Sequence, residues 1–394
     1  MERRTTWPAT KRWLPTLALV AWGIATIAIC VRVGLHPRSH SVFGYYLDAG
    51  RDWWHGAPIY AHAGPRFVYS PLVAAFLAPL GLLSDAAAEI VWRVLLALLV
   101  VSAIVFASRQ LWKFSAQQTA FLLLLALPLT LNNLNNGQAN LLLEGFLLFA
   151  AAHIIPARWL ACALCAALAA FVKIYPLAVG LLLVLLFSRA LWWRLTLCLA
   201  GLFLFSLVLQ SPAYAFGEYH HWLAHLAGDK RRGMNYYGMW RDFYLLLRIA
   251  GIPISAHGWI VLQLAAAATA GVIVLLANRA RAQREELVFL ALSLGLVWML
   301  LFGPATEAST YVLISIPATY LVLRAWISSA QLAFRLIASA VFVGLLLADV
   351  INSIVRPREN VHLVHAIQPA LTLLFCLALY LWWRHERAPR DLAG

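Results

Sequence analysis

Asp48, Arg51 and Asp52 are spaced i, i+3 and i+4 in the segment Y-Y-L-D-A-G-R-D-W-W, so on a helix they project from one face. A carboxylate so placed can take the proton of a hydroxyl as a general base, and an ordinary Asp/Arg surface pair accounts for the spacing equally well. If the neighbouring Trp53 and Trp54 rest on lipid as interfacial anchors, the acidic face turns toward the protein. A second polar set is the run L-T-L-N-N-L-N-N-G-Q-A-N, with Asn132, Asn133, Asn135, Asn136, Gly137, Gln138 and Asn140. Amides cap helices, and they also offer the neutral donors and acceptors that sugar hydroxyls need. Asn136, Gln138 and Asn140, with Tyr69 and His221, are therefore the candidates for sugar or acceptor binding. Lys173 stands in A-A-F-V-K-I-Y-P, where Pro176 interrupts an apolar run. A lone lysine there either snorkels to the interface or holds a phosphate as a point charge. The backbone freed by the proline is tolerated only against protein or a water-filled cavity, which favours a cavity and an anion.

Arg51, Arg66, Arg231 and Arg232 are further candidates for a phosphate. The cluster Lys230 to Arg232 lies beside Tyr and Trp and suits a lipid phosphate headgroup, although non-specific attraction to anionic lipid is an equal account. Glu307, after a Gly-Pro break, is a further acid, and Glu144 lies one to two turns into an apolar run, as either a functional or a hydrogen-bonded structural carboxylate. His221 and His225 are one helical turn apart but lack the intervening Glu of a zincin, so no metal is expected. The five cysteines, Cys30, Cys162, Cys165, Cys198 and Cys376, all fall in apolar runs and imply neither disulfide nor metal site.

Membrane helices must carry these groups. Of the 394 residues 63% are hydrophobic and only 12% charged, with a mean hydropathy of +0.79, whereas about 25% are charged in a soluble domain. At about 20 apolar residues per crossing, the length holds about twelve helices and some loops, which excludes a large soluble catalytic domain. Apolar runs lie near 13–34, 86–107, 116–131, 139–155, 160–187, 195–211, 259–277, 287–302, 310–326, 331–350 and 366–383, and Lys173 with Pro176 divides the fifth into two. The fold expected is an all-α polytopic bundle forming one domain over 1–394, with short amphipathic helices in the first outer loop. The first run reads as an anchor that is retained, since no small-residue cleavage site follows it.

Charge orients the bundle. The segments holding Arg3, Arg4, Lys11 and Arg12; Arg109 and Lys113; Arg158; Arg189 and Arg194; Arg279, Arg281 and Arg284; Arg324 and Arg335; and Arg384, Arg387 and Arg390 are short and basic, hence cytoplasmic, together with both termini. They contain 17 of the 30 basic residues and five of the 16 acids, so +12 of the net +14 is an orientation signal and is no argument for nucleic acid. The alternate segments, above all 35–85 and 212–258, face outward and hold ten of the twelve histidines. Asp48, Gln138, Lys173 and Glu307 come from four separate loops ending at that face.

The order of motifs resembles glycosyltransferase family 87 of the GT-C superfamily, the polyprenol-phosphate-mannose-dependent mannosyltransferases. The resemblance rests on D-A-G-R-D-W-W-H-G-A-P-I-Y (48–60), F-V-Y-S-P-L (67–72), N-G-Q-A-N (136–140), V-K-I-Y-P (172–176) and G-P-A-T-E-A-S-T-Y (303–311), and it spans about residues 40–320. It implies a GT-C-type bundle in a bacterial-type plasma membrane, with the active site on the outer face. The reaction implied is transfer of one sugar from a polyprenyl-phosphate donor to a lipid or glycan acceptor, with membrane lipids around it and no cofactor beyond that donor. An acid of the first outer loop is the base in this pattern, and Asp48 is the best match. Many members carry the acid a few residues earlier, where this chain has Ser41 to Gly44, so Asp52 and Glu307 stand as substitutes. The G-P-A-T-E segment also departs from the S-P-x-S-W-x-H-H of better-known members, which leaves the sugar and acceptor open.

The expected mechanism places the phosphate near Lys173 with Arg51, Arg66 or the 230–232 cluster, while Asp48 deprotonates the acceptor. Lysine and arginine neutralise the phosphate, so metal independence is expected. Two other functions fit part of the pattern. A flippase of polyprenyl-linked saccharide explains the broken helices but predicts polar residues through to the cytoplasm, where the inner segments hold little except Arg and Lys, and no internal repeat of a transporter is visible. An O-antigen polymerase or ligase explains the 212–258 loop but not the first-loop acid motif.

Overall fold

The computed structural model describes residues 13–62, 67–228, 231–236, 238–328, 330–354 and 362–387. Arg66, Lys230 and the terminal basic residues named above lie outside the described residues. In chain order the helices are α1 (Leu14–Leu35), α2 (Phe43–His55), α3 (Ile59–His62), α4 (Pro71–Gly81), α5 (Asp85–Gln110), α6 (Ala116–Asn136), α7 (Asn140–His153), α8 (Trp159–Val172) and α9 (Leu177–Leu186). They continue as α10 (Ser188–Leu209), α11 (Pro212–Ala227), α12 (Phe243–Ile249), α13 (Ala256–Arg279), α14 (Arg284–Leu301), α15 (Ser315–Ile327), α16 (Leu332–Ile354) and α17 (His362–Arg387). Short 3-10 turns cover Arg231–Gly233 and Ala308–Ile314, and there is no strand among the described residues.

A helix occupies each expected apolar run, and among the described residues seven are long and apolar enough to cross a membrane. The spans differ in position. In Ala308–Ile327 83% of the apolar window is buried, against 17% in Ala256–Arg279, so the former is central and the latter lines the lipid side. The helices α7, α8 and α9 have 14, 14 and 10 residues. At about 1.5 Å per residue each falls short of a hydrocarbon core about 30 Å thick. Their ends, including the turn that carries Lys173, therefore lie within the depth of the bundle.

The first outer segment folds as α2, packed on α4. Gly50 is needed at that crossing, because a Cβ there would stand 2.9 Å from the backbone carbon of Leu77. The expected orientation of α2 is reversed. Phe43, Tyr46, Leu47 and Trp53 are buried against the protein, and the Asp48/Arg51 side is partly exposed. Burying that much aromatic surface against α4 and Trp92 outweighs any interfacial role for Trp53, and Trp54 alone stays exposed.

The asparagine-rich turn between α6 and α7 is clamped from several sides. Ser115 and Gln118 cap the start of α6 reciprocally, and the helix ends at Gly137 with a left-handed φ of 68°. A side chain at Gly137 would also collide with the guanidinium of Arg93. Arg93 is fully buried, pairs with Glu89 at 2.8 Å, and donates to Ser41 Oγ at 2.9 Å and the Asn135 carbonyl at 3.2 Å. Arg32 donates to the same carbonyl at 2.8 Å, Trp92 to the Gly137 carbonyl at 2.9 Å, and the Val42 amide to the Asn136 carbonyl at 3.0 Å.

Candidate active site

Lys173 follows the last turn of α8 in an extended conformation, with φ −145° and ψ 147°. Pro176, which cannot continue a helix from its N-terminal side, restarts the chain as α9. The side chain is buried, and its Nζ donates to Asn140 Oδ1 at 3.0 Å. Nζ also lies 5.6 Å from the centre of the Tyr69 ring and 5.5 Å from that of Tyr175. Two aromatic faces and one amide oxygen thus stabilise a cation away from water, and one of its three N–H donors is taken by Asn140.

Its neighbours are held by bonds between distant elements. Ser70 Oγ donates to the Phe171 carbonyl at 2.5 Å, which brings Tyr69 beside the end of α8. Tyr60 donates to the Tyr69 carbonyl at 2.7 Å, and the Tyr46 and Tyr69 hydroxyls are 2.8 Å apart. Burial raises the pKa of both phenols, so they stay protonated. Asn140 in turn donates to Ser309 Oγ at 3.2 Å, joining the start of α7 to the turn Ala308–Ile314.

Glu307 caps that turn, its amide accepted by Thr310 Oγ1 at 3.1 Å. Its carboxylate lies close enough to Tyr46 and Tyr69 to act on both phenols electrostatically. Arg231 donates to Glu307 Oε1 at 2.7 Å, and its guanidinium stacks 3.7 Å from the centre of the Trp240 ring. The loop that carries Arg231 and Arg241 thereby joins the Ala308–Ile314 turn as a strap. The strap is fastened by the Arg241 amide to the Thr306 carbonyl at 2.8 Å and by the Tyr311 hydroxyl to the Arg241 carbonyl at 2.5 Å. Arg232 sits 4.7 Å from the centre of the Trp259 ring and 3.5 Å from Asp242 Oδ2. Asp242 caps α12 through the Leu245 amide, and burial pushes its carboxyl up to about 7.

An apolar cavity of about 600 Å³ opens beside Lys173. Ile174 and Tyr175 line it together with α9 from Leu177 to Leu185, the small residues Ala267, Ala268, Ala270 and Gly271 of α13, and Gly295 and Trp298 of α14. From Tyr175 to Leu185 the wall runs about 15 Å along the chain axis.

The residues singled out in the sequence are thus partly brought together. Lys173, Asn140, Tyr69, Glu307 and Arg231 form one assembly, with the half-buried Gln138 two residues before Asn140. Asp48 and Arg51 make no contact with it. Both oxygens of Asp48 accept from Arg38, at 2.7 and 2.9 Å, while Arg51 donates to Asp85 at 2.8 Å and to the carbonyls of Gly81 and Leu83. Asp52 lies in the last turn of α2, its carbonyl accepting the Ala57 amide at 2.8 Å. Asn136 bonds Asn132 within α6, and Glu144 accepts from Ser315 at 2.8 Å where α15 begins. His221 lies 3.1 Å from the buried Glu218, which also accepts the Ile59 amide at 3.1 Å, on α11.

Tyr46, Tyr175, Ser309 and Trp240 were not legible as site residues, because each becomes relevant only through a neighbour from another loop. The Y-P pair after Lys173 is the one signal that pointed near Tyr175.

A comparison with curated proteins gave no match. The profile of glycosyltransferase family 87 matches residues 67–304, more than half of the chain, including the Lys173 turn, Asn140 and most of the cavity. This chain is therefore a membrane glycosyltransferase and belongs to glycosyltransferase family 87.

Proposed function

We propose that the protein transfers a single sugar from a polyprenyl-phosphate donor to a hydroxyl of a lipid or glycan acceptor, at the outer face of a bacterial-type plasma membrane. One observation carries this reading: a buried, aromatic-flanked cation directly precedes, and lies against the ring of, residues that line a long apolar cavity. A polyprenyl phosphate has the matching halves, a hydrocarbon tail ending in an anion. The tail occupies the cavity between α9, α13 and α14, and the phosphate lies at Lys173. The sugar then extends toward Asn140, Gln138 and Tyr69.

Glu307 is the base in this reading. It joins the Lys173 group through the turn Ala308–Ile314, where Ser309 meets Asn140, and it is exposed, whereas Arg38 occupies both oxygens of Asp48. The acceptor oxygen attacks the anomeric carbon as Glu307 takes its proton. The bond from that carbon to the phosphate oxygen breaks, and its electron pair leaves with the lipid phosphate beside Lys173. The leaving group is already a good one, so positioning and charge stabilisation supply most of the rate. The basic segments put both termini in the cytoplasm and the strap with Arg231 outside.

The test is incubation of the purified protein in lipid nanodiscs with a panel of polyprenyl-phosphate sugars, reading donor consumed and product formed. Transfer of one sugar is expected, and Glu307→Gln should lower kcat by about 10²- to 10⁴-fold. Flipping of lipid-linked saccharide without product would sink the reading. Equal rates for Glu307→Gln and wild type would move the base to Asp48 or Asp52.

A further inference from the structure

The phenol hydroxyls around the site differ in one respect. Those of Tyr46, Tyr60 and Tyr69 have partners at 2.7 to 2.8 Å. Tyr175 is only 7% exposed, yet its hydroxyl has no hydrogen-bond partner among the described residues. An unpaired buried hydroxyl costs free energy that phenylalanine, filling the same space, would avoid. Tyr175 also lines the cavity, and its ring lies 5.5 Å from the Lys173 ammonium, so this one residue touches both the apolar cavity and the buried cation.

We infer that the Tyr175 hydroxyl donates a hydrogen bond to a phosphate oxygen of the lipid donor and, with Lys173, selects a lipid whose phosphate is attached directly to its hydrocarbon tail. This rests on the donor reading above and deepens it. In a polyprenyl phosphate the first polar atom after the tail is the phosphate ester oxygen, so the anion begins where the apolar wall ends. In a glycerophospholipid the first polar atoms after the tails are neutral acyl esters. With its tail in the same cavity, such a lipid would set an uncharged carbonyl at Lys173 and push its phosphate several bonds outward. A cation and a hydroxyl donor at the cavity mouth therefore discriminate between two classes of membrane lipid that both carry phosphate. Tyr175 makes this contact directly, and it neither donates nor removes a proton in the transfer.

Tyr175→Phe tests it, because deleting a hydroxyl without a protein partner leaves the packing intact. In nanodiscs the melting temperature of Tyr175→Phe should equal or exceed that of wild type. The KM for the polyprenyl-phosphate sugar should rise about tenfold, equivalent to about 1.4 kcal/mol, with a smaller change in kcat. Added polyprenyl phosphate should shift the melting temperature of wild type strongly and of Tyr175→Phe weakly. Phosphatidylglycerol and inorganic phosphate should shift both proteins little and equally. A lower melting temperature for Tyr175→Phe, an unchanged KM, or phosphatidylglycerol protecting wild type as well as polyprenyl phosphate does would overturn the inference. If the wild type transfers sugar and Tyr175→Phe has the same KM, the inference alone fails. If no sugar of the panel is transferred, the donor reading fails, and the binding shifts still decide whether Tyr175 holds a lipid phosphate.

Discussion

Lys173 is held by geometry as much as by charge. Its ammonium lies between two ring faces at 5.5 and 5.6 Å and bonds one amide oxygen, a space that fits a compact point charge and not a planar fork. Lys173→Arg should therefore be as damaging as Lys173→Met, each lowering kcat/KM at least about tenfold in the donor assay. Rescue by arginine would mean that charge alone matters. Asp242 provides a prediction in pH. Its carboxyl titrates in the fold near 7, above its ordinary value of 3.8, because burial disfavours the ion. Between those values the folded state holds a proton that the unfolded state has lost. Stability of the strap must then fall as pH rises from about 4 to about 7 and level off above. Arg232 on the strap and the Leu245 amide of α12 face this carboxyl, and Tyr311 lies near it. Asp242→Asn keeps a capping oxygen and loses the titration. Hydrogen exchange of 231–245 should slow at acid pH in wild type and lose that slope in Asp242→Asn.

Elements in this bundle approach closely where the side chain is absent. At Gly137 two demands coincide, a left-handed φ and the passage of the Arg93 guanidinium. Gly137→Ala should thus destabilise by more than the roughly 1–2 kcal/mol of a left-handed alanine, read as a lowered melting temperature. It should also loosen the turn that begins α7, where Asn140 meets Lys173. At Gly50 the obstacle is the backbone of α4, which cannot rotate aside as a side chain can. The turn Ala308–Ile314 works differently: Glu144, deep in α7, accepts from Ser315 at its end. Glu144 is thereby tied to a helix start, and through it to the turn that carries Ser309 and Glu307. The acid that the sequence marked as an intramembrane candidate thus supports the element that presents another.

For the whole molecule, the charge distribution predicts an orientation, and the proposed lipid donor gives the cavity a role that can be tested. Single cysteines introduced at Asn235 of the strap and at Ala282 between α13 and α14 should be labelled by a membrane-impermeant reagent only from the outside and only from the inside, respectively. The same pattern at both sites, or its inverse, would overturn the assignment of faces. Ala268→Trp, which fills the cavity from α13, should raise the KM for long-chain donors with little change in kcat.

Much of this was readable from composition and order. An apolar content of 63% dictated a helical bundle in a membrane, since a chain in lipid must satisfy its backbone within each helix. Short basic segments predicted the faces, and the proline break beside Lys173 pointed to a cavity and an anion. What the linear pattern could not decide was which acid joins the elements around that cation. Asp48 and Glu307 are both carboxylic acids and are expected on the same side. Only the packing of α2 on α4 turns Asp48 toward Arg38, and only the strap brings Arg231 to Glu307. The direction in which an amphipathic helix faces depends on the surface it meets, and that surface is made by residues distant in sequence. The unpaired hydroxyl of Tyr175 belongs to the same class of fact, because a missing partner is visible only once every neighbour is in place.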